Sequence, residues 1–153
     1  AALCEIAAGF GIQCNIEPTP WTEISTVAGA ARVVQASGRN NAGVLVDSIH
    51  FDRVQDDVAA LAAYPAAYFP FMQLCDAPAE RPTDMETLLH QARAERMMPG
   101  DGGIDLRAQL RGLPPGIPIA LEIPMLSWAK TAPAVVRAKA MREKTLALLA
   151  SLE

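Results

Sequence analysis

The chain has 153 residues, 51% of them hydrophobic and 20% charged, with 13 Lys and Arg against 17 Asp and Glu for a formal net charge of −4. That apolar content suffices for one buried core and excludes a disordered or low-complexity chain. The acidic balance supplies no basic stripe for phosphates, so no nucleic-acid partner is expected. Mean hydropathy is only +0.16, and the longest apolar runs, such as 64–72, carry prolines and fall well short of the roughly 20 residues a membrane span needs.

Cys4, Cys14 and Cys75 form no Cys-x-x-Cys pair. An odd number of thiols at wide spacing predicts reduced cysteines and a reducing, cytoplasmic setting, with a single disulfide still open. No basic segment followed by an apolar stretch opens the chain, so no signal peptide is predicted. The chain begins directly in a helical pattern without a cap, as expected for the tail of a longer helix.

In chain order, 2–10 reads as helix, stopped near Gly9 and Gly11. A strand is predicted over 12–17, halted by Pro18 and Pro20. Ser25 or Thr26 can cap a helix running to Ser37, with Val27, Ala30, Ala31 and Val34 on one face. The nearly all-apolar stretch 42–47 predicts a strand covered on both faces. A helix over 56–63, a strand over 68–75 and a helix from a capping-box-like start at 83–86 to Arg96 follow. A tight loop at 99–103, a short helix over 106–110, a strand over 117–123 and a long helix over 132–152 complete the series.

Helix and buried strand alternate throughout, which predicts an α/β fold with a parallel sheet and, with no linker or composition shift, one domain over 1–153. Four βα units make half of an eight-fold barrel. A small doubly wound sheet is the alternative, but no GxGxxG or GxxxxGK[ST] phosphate loop follows any strand.

Parallel α/β folds collect their chemistry at the carboxyl ends of the strands. Here those ends carry Glu17, Asp47, Gln73 with Asp76, and Glu122. Carboxylates converging on one rim repel unless a cation lies between them. Oxygen donors with an imidazole suit Mg²⁺ or Mn²⁺, with Zn²⁺ or Co²⁺ as alternatives. Each residue also has a plainer reading. Asp47 fits the cap of the next helix, and Gln73 within Phe71-Met72-Gln73-Leu74-Cys75 fits a buried amide satisfied by backbone. Trp21 fits the core. His50, three residues after Asp47, would rise one helical turn above the strand end, whereas His90 lies on a charged, solvated helical face. Glu17 precedes proline and is poorly placed to cap, and Glu122 lies between Leu121 and Ile123, where a charge needs a partner.

Five segments together carry a resemblance. Glu17-Pro18-Thr19-Pro20-Trp21, Gly43-Val44-Leu45-Val46-Asp47-Ser48-Ile49-His50, Gln73-Leu74-Cys75-Asp76-Ala77-Pro78, Arg96-Met97-Met98-Pro99-Gly100-Asp101-Gly102 and Leu121-Glu122-Ile123-Pro124 resemble, in that order, the second half of the xylose-isomerase-like TIM barrels. These are the sugar phosphate isomerases and epimerases related to AP endonuclease family 2. The resemblance implies a (β/α)8 TIM barrel of which this chain is the C-terminal half. It also implies one divalent metal held by Glu17, Asp47, Gln73 and Glu122, with His50 and Arg96 contacting substrate. Many epimerases carry His where this chain has Gln73. The Gln-Leu-x-Asp-Ala-Pro segment, with Arg93 and Arg96 before Pro-Gly, also resembles bacterial 3-dehydroshikimate dehydratases of the same superfamily.

The expected activity is a metal-dependent isomerase or epimerase acting on a small polyhydroxylated sugar or sugar phosphate through an enediolate. Glu17, Glu122 and His50 would handle protons, and Arg96 and Trp21 would hold substrate. A dehydratase of the same superfamily is the alternative, in which the enolate expels a β-hydroxyl. A reading of another class is an inactive half-barrel that serves binding or assembly, since half a barrel exposes two sheet edges. Its expected partner is the missing N-terminal half-barrel or a second copy, and the chain alone is expected to be inactive.

Overall fold

Four parallel strands, each followed by helix, carry the architecture in the computed structural model, which describes residues 1–152. The order is α1 (Ala2–Ala8), β1 (Cys14–Ile16), α2 (Val27–Ser37), β2 (Ala42–Val44), β3 (Val46–Asp47), α3 (Ser48–Arg53) and α4 (Val58–Leu61). A 3-10 turn (Ala66–Tyr68), β4 (Met72–Leu74), α5 (Met85–Arg93), α6 (Leu106–Gly112), β5 (Ile119–Leu121), α7 (Leu126–Ala129) and α8 (Ala134–Ala150) follow.

All strand pairings are parallel: β1 with β2, β3 with β4, and β4 with β5. β2 and β3 are one bent strand broken at Leu45, whose N–H still donates to Ile16 O at 2.9 Å. The chain thus passes from its first partner to its second at Leu45. Neighbours follow sequence order without a reversal, as in a barrel wall; a doubly wound sheet reverses order at a switch point. The buried core runs through Val44, Val46, Met72 and Leu74 of the strands and Val27, Ala30, Ala31 and Val34 of α2. The predicted apolar face of α2 is therefore its buried one.

Local signals explain where the helices start. Thr26 caps α2 by accepting from Gly29 N, Asp84 caps α5 by accepting from Thr87 N, and Asp57 caps α4 by accepting from Ala59 N. Side-chain acceptors at these positions satisfy first-turn N–H groups that the helix leaves unpaired. The ladders are shorter than the apolar runs that predict them. The strand expected over 12–17 spans 14–16, that over 68–75 spans Met72–Leu74, and that over 117–123 spans Ile119–Leu121. Pro70 and Pro118 limit two of these ladders because proline brings no N–H. The helix expected over 56–63 shortens to Val58–Leu61, and α3 and α7 arise where no separate helix is predicted.

The buried Asp76 organises the loop after α5. Its carboxylate accepts from the N–H groups of Ala77 (2.8 Å), Gly100 (3.0 Å), Gly102 (3.0 Å) and Ile104 (3.1 Å). A Cβ at Gly102 would collide with Ala77 O and with the Asp76 carboxylate itself, so the loop wraps the anion only because that residue has no side chain. Asp76 is a strand-end carboxylate with all its capacity spent on backbone. Asp76 and Met97 also exchange backbone hydrogen bonds at 2.8 and 2.9 Å, which ties the segment carrying Arg96 to the end of β4.

Among the described residues, β1 and β5 each pair on one side only. Exposed apolar side chains flank both edges: Leu3, Ile6, Phe10 and Ile12 beside β1, and Leu121, Leu126, Val135 and Val136 beside β5. No helix among the described residues is long and apolar enough to cross a membrane.

Candidate metal centre

The carboxyl ends of the strands converge on Asp47, the last residue of β3. Its Oδ1 accepts from Ile49 N at 3.0 Å and so caps α3, while its Oδ2 accepts from Arg96 Nη1 at 2.7 Å. The capping and site readings of this residue are both realised, one oxygen to each. Ser48 fastens β3 to β4, its Oγ donating to Cys75 O at 2.8 Å and accepting from Cys75 N at 2.9 Å.

α3 then carries His50 one turn above the strand end. His50 Nε2 lies 3.6 Å from Glu17 Oε1 and 3.8 Å from Asp47 Oδ2. Glu17, Asp47 and His50 each offer one ligand atom to a cluster whose members lie within 4.8 Å of one another. The sequence places His50 beside substrate, and the structure brings it into the donor group itself. Gln73 pairs with Asp47 across the β3–β4 ladder and Ala120 with Gln73 across β4–β5, so Asp47 and Gln73 project from the same face of the sheet, as does Glu122 two residues beyond Ala120.

Arg96 is buried and its guanidinium spans the rim. Nη1 donates to Asp47 Oδ2 and to Glu122 O at 3.0 Å and lies 3.5 Å from Glu122 Oε2, while Nε donates to Ala92 O at 2.7 Å. Its own N–H donates to Pro124 O at 2.8 Å. One guanidinium therefore faces the carboxylates of Asp47 and Glu122, with Glu17 close enough to feel all three groups. Trp21 is half-buried and meets the His50 ring edge-on, with centroids 5.0 Å apart and planes at 86°. It walls the site, and it also packs against the core.

The titration behaviour follows from this crowding. Burial pushes the Glu17 carboxyl up to about 7, with further upward pushes from Asp47 and Glu122 and a partial offset from Arg96. Burial raises Asp47 and Glu122 as well, with Arg96 pulling each back. Burial holds His50 down at about 4, reinforced by Arg96, so its imidazole is neutral near pH 7. Burial also raises the Cys75 thiol to about 12, which keeps it protonated and inert beneath Arg96.

These residues fit a divalent cation. Glu122 Oε2 and Gln73 Oε1 are buried atoms without a hydrogen-bond partner among the described residues, and unpaired oxygen acceptors beside crowded carboxylates are what a cation satisfies. Carboxylate and amide oxygens with one neutral imidazole suit a hard or borderline ion.

A partial parallel barrel with an acidic rim at its strand ends defines a class, and comparison with known proteins gives the family. The chain belongs to the xylose isomerase-like TIM barrel family, which it matches over residues 1–144. It is 31% identical over 105 residues to a 3-dehydroshikimate dehydratase of Pseudomonas aeruginosa, covering 68% of this chain and 16% of the relative. It is 29% identical over 113 residues to an inosose isomerase of Bacillus velezensis, covering 72% of this chain and 38% of the relative. The chain therefore spans well under half the length of these relatives. In fold it is similar to the solved IOLI protein with a bound zinc atom, with a TM-score of 0.85 at 20% identity over 99% of this chain and 54% of that one. It is likewise similar to a xylose isomerase-like TIM barrel/4-hydroxyphenylpyruvate dioxygenase fusion protein, with a TM-score of 0.71 at 27% identity over 80% of this chain and 20% of that one.

Two features of the site escape the sequence reading. The contact of Arg93 with the Trp21 ring joins positions far apart in sequence, and no local pattern announces it. The Asp76 clamp leaves a trace in the Pro99-Gly100-Asp101-Gly102-Gly103 run, but nothing in that run names the anion it encloses.

Proposed function

We propose that this chain supplies the metal-binding half of an enzyme that removes a proton α to a carbonyl in a small polyhydroxylated substrate, an isomerase or epimerase. The observation that carries the reading is the cluster of Glu17, Asp47 and His50 within 4.8 Å, in a rim whose crowded carboxylates push one another's titration upward. Glu17, Asp47, Gln73 and Glu122 would hold one divalent ion, Mn²⁺ or Mg²⁺ in the first instance, with Zn²⁺ or Co²⁺ as alternatives. When bound, that ion polarises the substrate carbonyl as a Lewis acid.

The protein's own groups do the rest. Glu17 and Glu122 flank Asp47 on different strands and approach a bound molecule from two sides. The carboxylate of one takes the proton from the α carbon, and the other returns a proton to the opposite face or to the neighbouring carbon, so that charge and atoms balance. His50, neutral and pinned between Glu17 and Trp21, accepts or donates a hydrogen bond to a substrate hydroxyl. Arg96 orients Asp47, and Trp21 excludes water from one side.

A dehydratase is the second reading, favoured by Gln73 in the strand position and by the likeness to the dehydroshikimate enzyme. The same α proton leaves, and a β C–O bond breaks to release water. In either case the open edges of β1 and β5 are to be covered by a preceding half-barrel or a second copy, and the unpaired cysteines fit the reducing cytoplasm. The chain alone is expected to self-associate and to show negligible turnover.

The test is deuterium wash-in from heavy water at the α carbon of a cyclic polyhydroxy ketone, using the metal-loaded chain joined to a complementary half-barrel of four βα units. Exchange that Glu122→Gln abolishes is expected. Metal bound in equimolar amount without any exchange overturns the reading.

A further inference from the structure

Trp21 is shared between two rings of chemistry. The His50 imidazole meets it at right angles with centroids 5.0 Å apart, and the Arg93 guanidinium carbon lies 5.0 Å from the centre of the same indole. Trp21 thus links His50, in the donor cluster, to Arg93 at the end of α5.

Arg93 differs from its neighbours in what it does with its donors. Arg53 pairs with Asp52 and donates to Pro78 O and Gln91 Oε1, and Arg96 pairs with Asp47 and Glu122. Arg93 is exposed, and among the described residues it makes neither an ion pair nor a hydrogen bond; its contact is the indole. A cation in the last turn of α5 complements the helix dipole, but that alone asks for no aromatic partner from the loop after β1. A cation–π contact with an indole uses none of a guanidinium's N–H donors as conventional hydrogen bonds. Arg93 lines the same cavity as Glu122 with its donors unspent, and a guanidinium in that state can grip two oxygens of one anion.

We propose that Arg93 is a specificity-determining residue that binds an anionic group, carboxylate or phosphate, on a polyhydroxylated substrate whose reacting end lies at His50 and the rim carboxylates. The proposal rests on the reading of the rim as the reacting centre. A wholly uncharged sugar leaves this fork unused, and an acid or phosphate ester uses it.

The test is a titration of the metal-loaded chain, joined to a complementary half-barrel as above, followed by tryptophan emission and calorimetry, with quinate, myo-inositol 1-phosphate and uncharged myo-inositol. It is run on the parent protein and on Arg93→Gln, an exposed position whose substitution leaves the core untouched. One anionic probe is expected to bind about tenfold more tightly than myo-inositol. Arg93→Gln is expected to erase that preference while leaving the myo-inositol affinity and the metal content unchanged. Preference for quinate assigns a carboxylate, and preference for the phosphate ester assigns a phosphate. A preference that survives Arg93→Gln, or none in the parent, overturns the proposal with the metal centre intact. A chain that takes up no divalent ion overturns the reading of the centre and the proposal with it.

Discussion

Asp47 and Arg96, 49 positions apart in sequence, meet at 2.7 Å in the interior, with both side chains almost wholly removed from solvent. This contact joins the end of β3 to the segment between α5 and the glycine loop. It also sets the charge of the rim, because the same guanidinium nitrogen faces Glu122 at 3.5 Å. A buried pair of this kind is weak evidence of net stabilisation, but removing one partner alone is costly.

Arg96→Met keeps most of the volume and strands Asp47 as a buried, unpaired carboxylate. The expected loss is about 3–5 kcal/mol at neutral pH, measured by urea unfolding of the metal-free protein. The loss should shrink in acid, where Asp47 takes up a proton, and divalent metal should recover part of it.

Asp76→Ala removes the acceptor for four backbone N–H groups of the loop. Each buried donor left unpaired costs on the order of 1–3 kcal/mol, less than additively once water enters. Severe destabilisation is expected, and hydrogen exchange should show the loss of protection concentrated at Gly100, Gly102 and Ile104. Protection unchanged at these amides would contradict the clamp.

The pH dependence of the metal-free protein separates two residues. Folding raises Glu17 from 4.5 to about 7. Within that window the folded chain holds a proton that the unfolded chain has released, so this residue makes stability fall as pH rises. His50 drops from 6.5 to about 4. Within that window the unfolded chain holds the extra proton, so His50 makes stability rise with pH. The two slopes oppose each other in the parent protein. Relative to it, His50→Asn should make stability fall more steeply between pH 4.5 and 6.5, and Glu17→Gln should make it rise; unfolding midpoints across this range check both signs. Metal uptake displaces the Glu17 proton, so affinity should climb with pH up to about 7.

Ligand and proton-handling roles should separate by substitution. Glu122→Gln is nearly isosteric and should keep the fold, weaken metal binding and abolish turnover of the completed enzyme. His50→Asn should retain close to one metal per chain and mainly lower kcat. Loss of metal in His50→Asn would contradict this division of roles and make His50 a ligand.

Much of this arrangement is legible in the sequence because strand ends are punctuated. Pro18 after Glu17 and Pro124 two residues after Glu122 mark where ladders stop, and the apolar run before Asp47 marks a strand covered on both faces. The parallel order and the rim follow from these signals. The strand lengths do not, since apolar residues continue past the last ladder bond, as Phe71 and Cys75 do on either side of β4. Asp47 shows a second limit: a carboxylate has two oxygens, and sequence patterns ask which single role it plays. The same limit hides Asp76, whose partners are backbone amides without side-chain identity. Arg93 on Trp21 is invisible for a different reason, because it depends on how the loop after β1 folds over α5.

Metal stoichiometry tests the central claim most directly. The chain, loaded with Mn²⁺ and freed of excess by dialysis, should hold one ion per molecule by elemental analysis, with ligand distances of about 2.0–2.6 Å by X-ray absorption. The Glu17→Gln/Asp47→Asn double variant should hold none. A folded parent chain that retains no Mn²⁺, Zn²⁺, Co²⁺ or Mg²⁺ under these conditions, or a double variant that retains the ion as well as the parent does, would contradict the assignment of these strand ends as a metal centre.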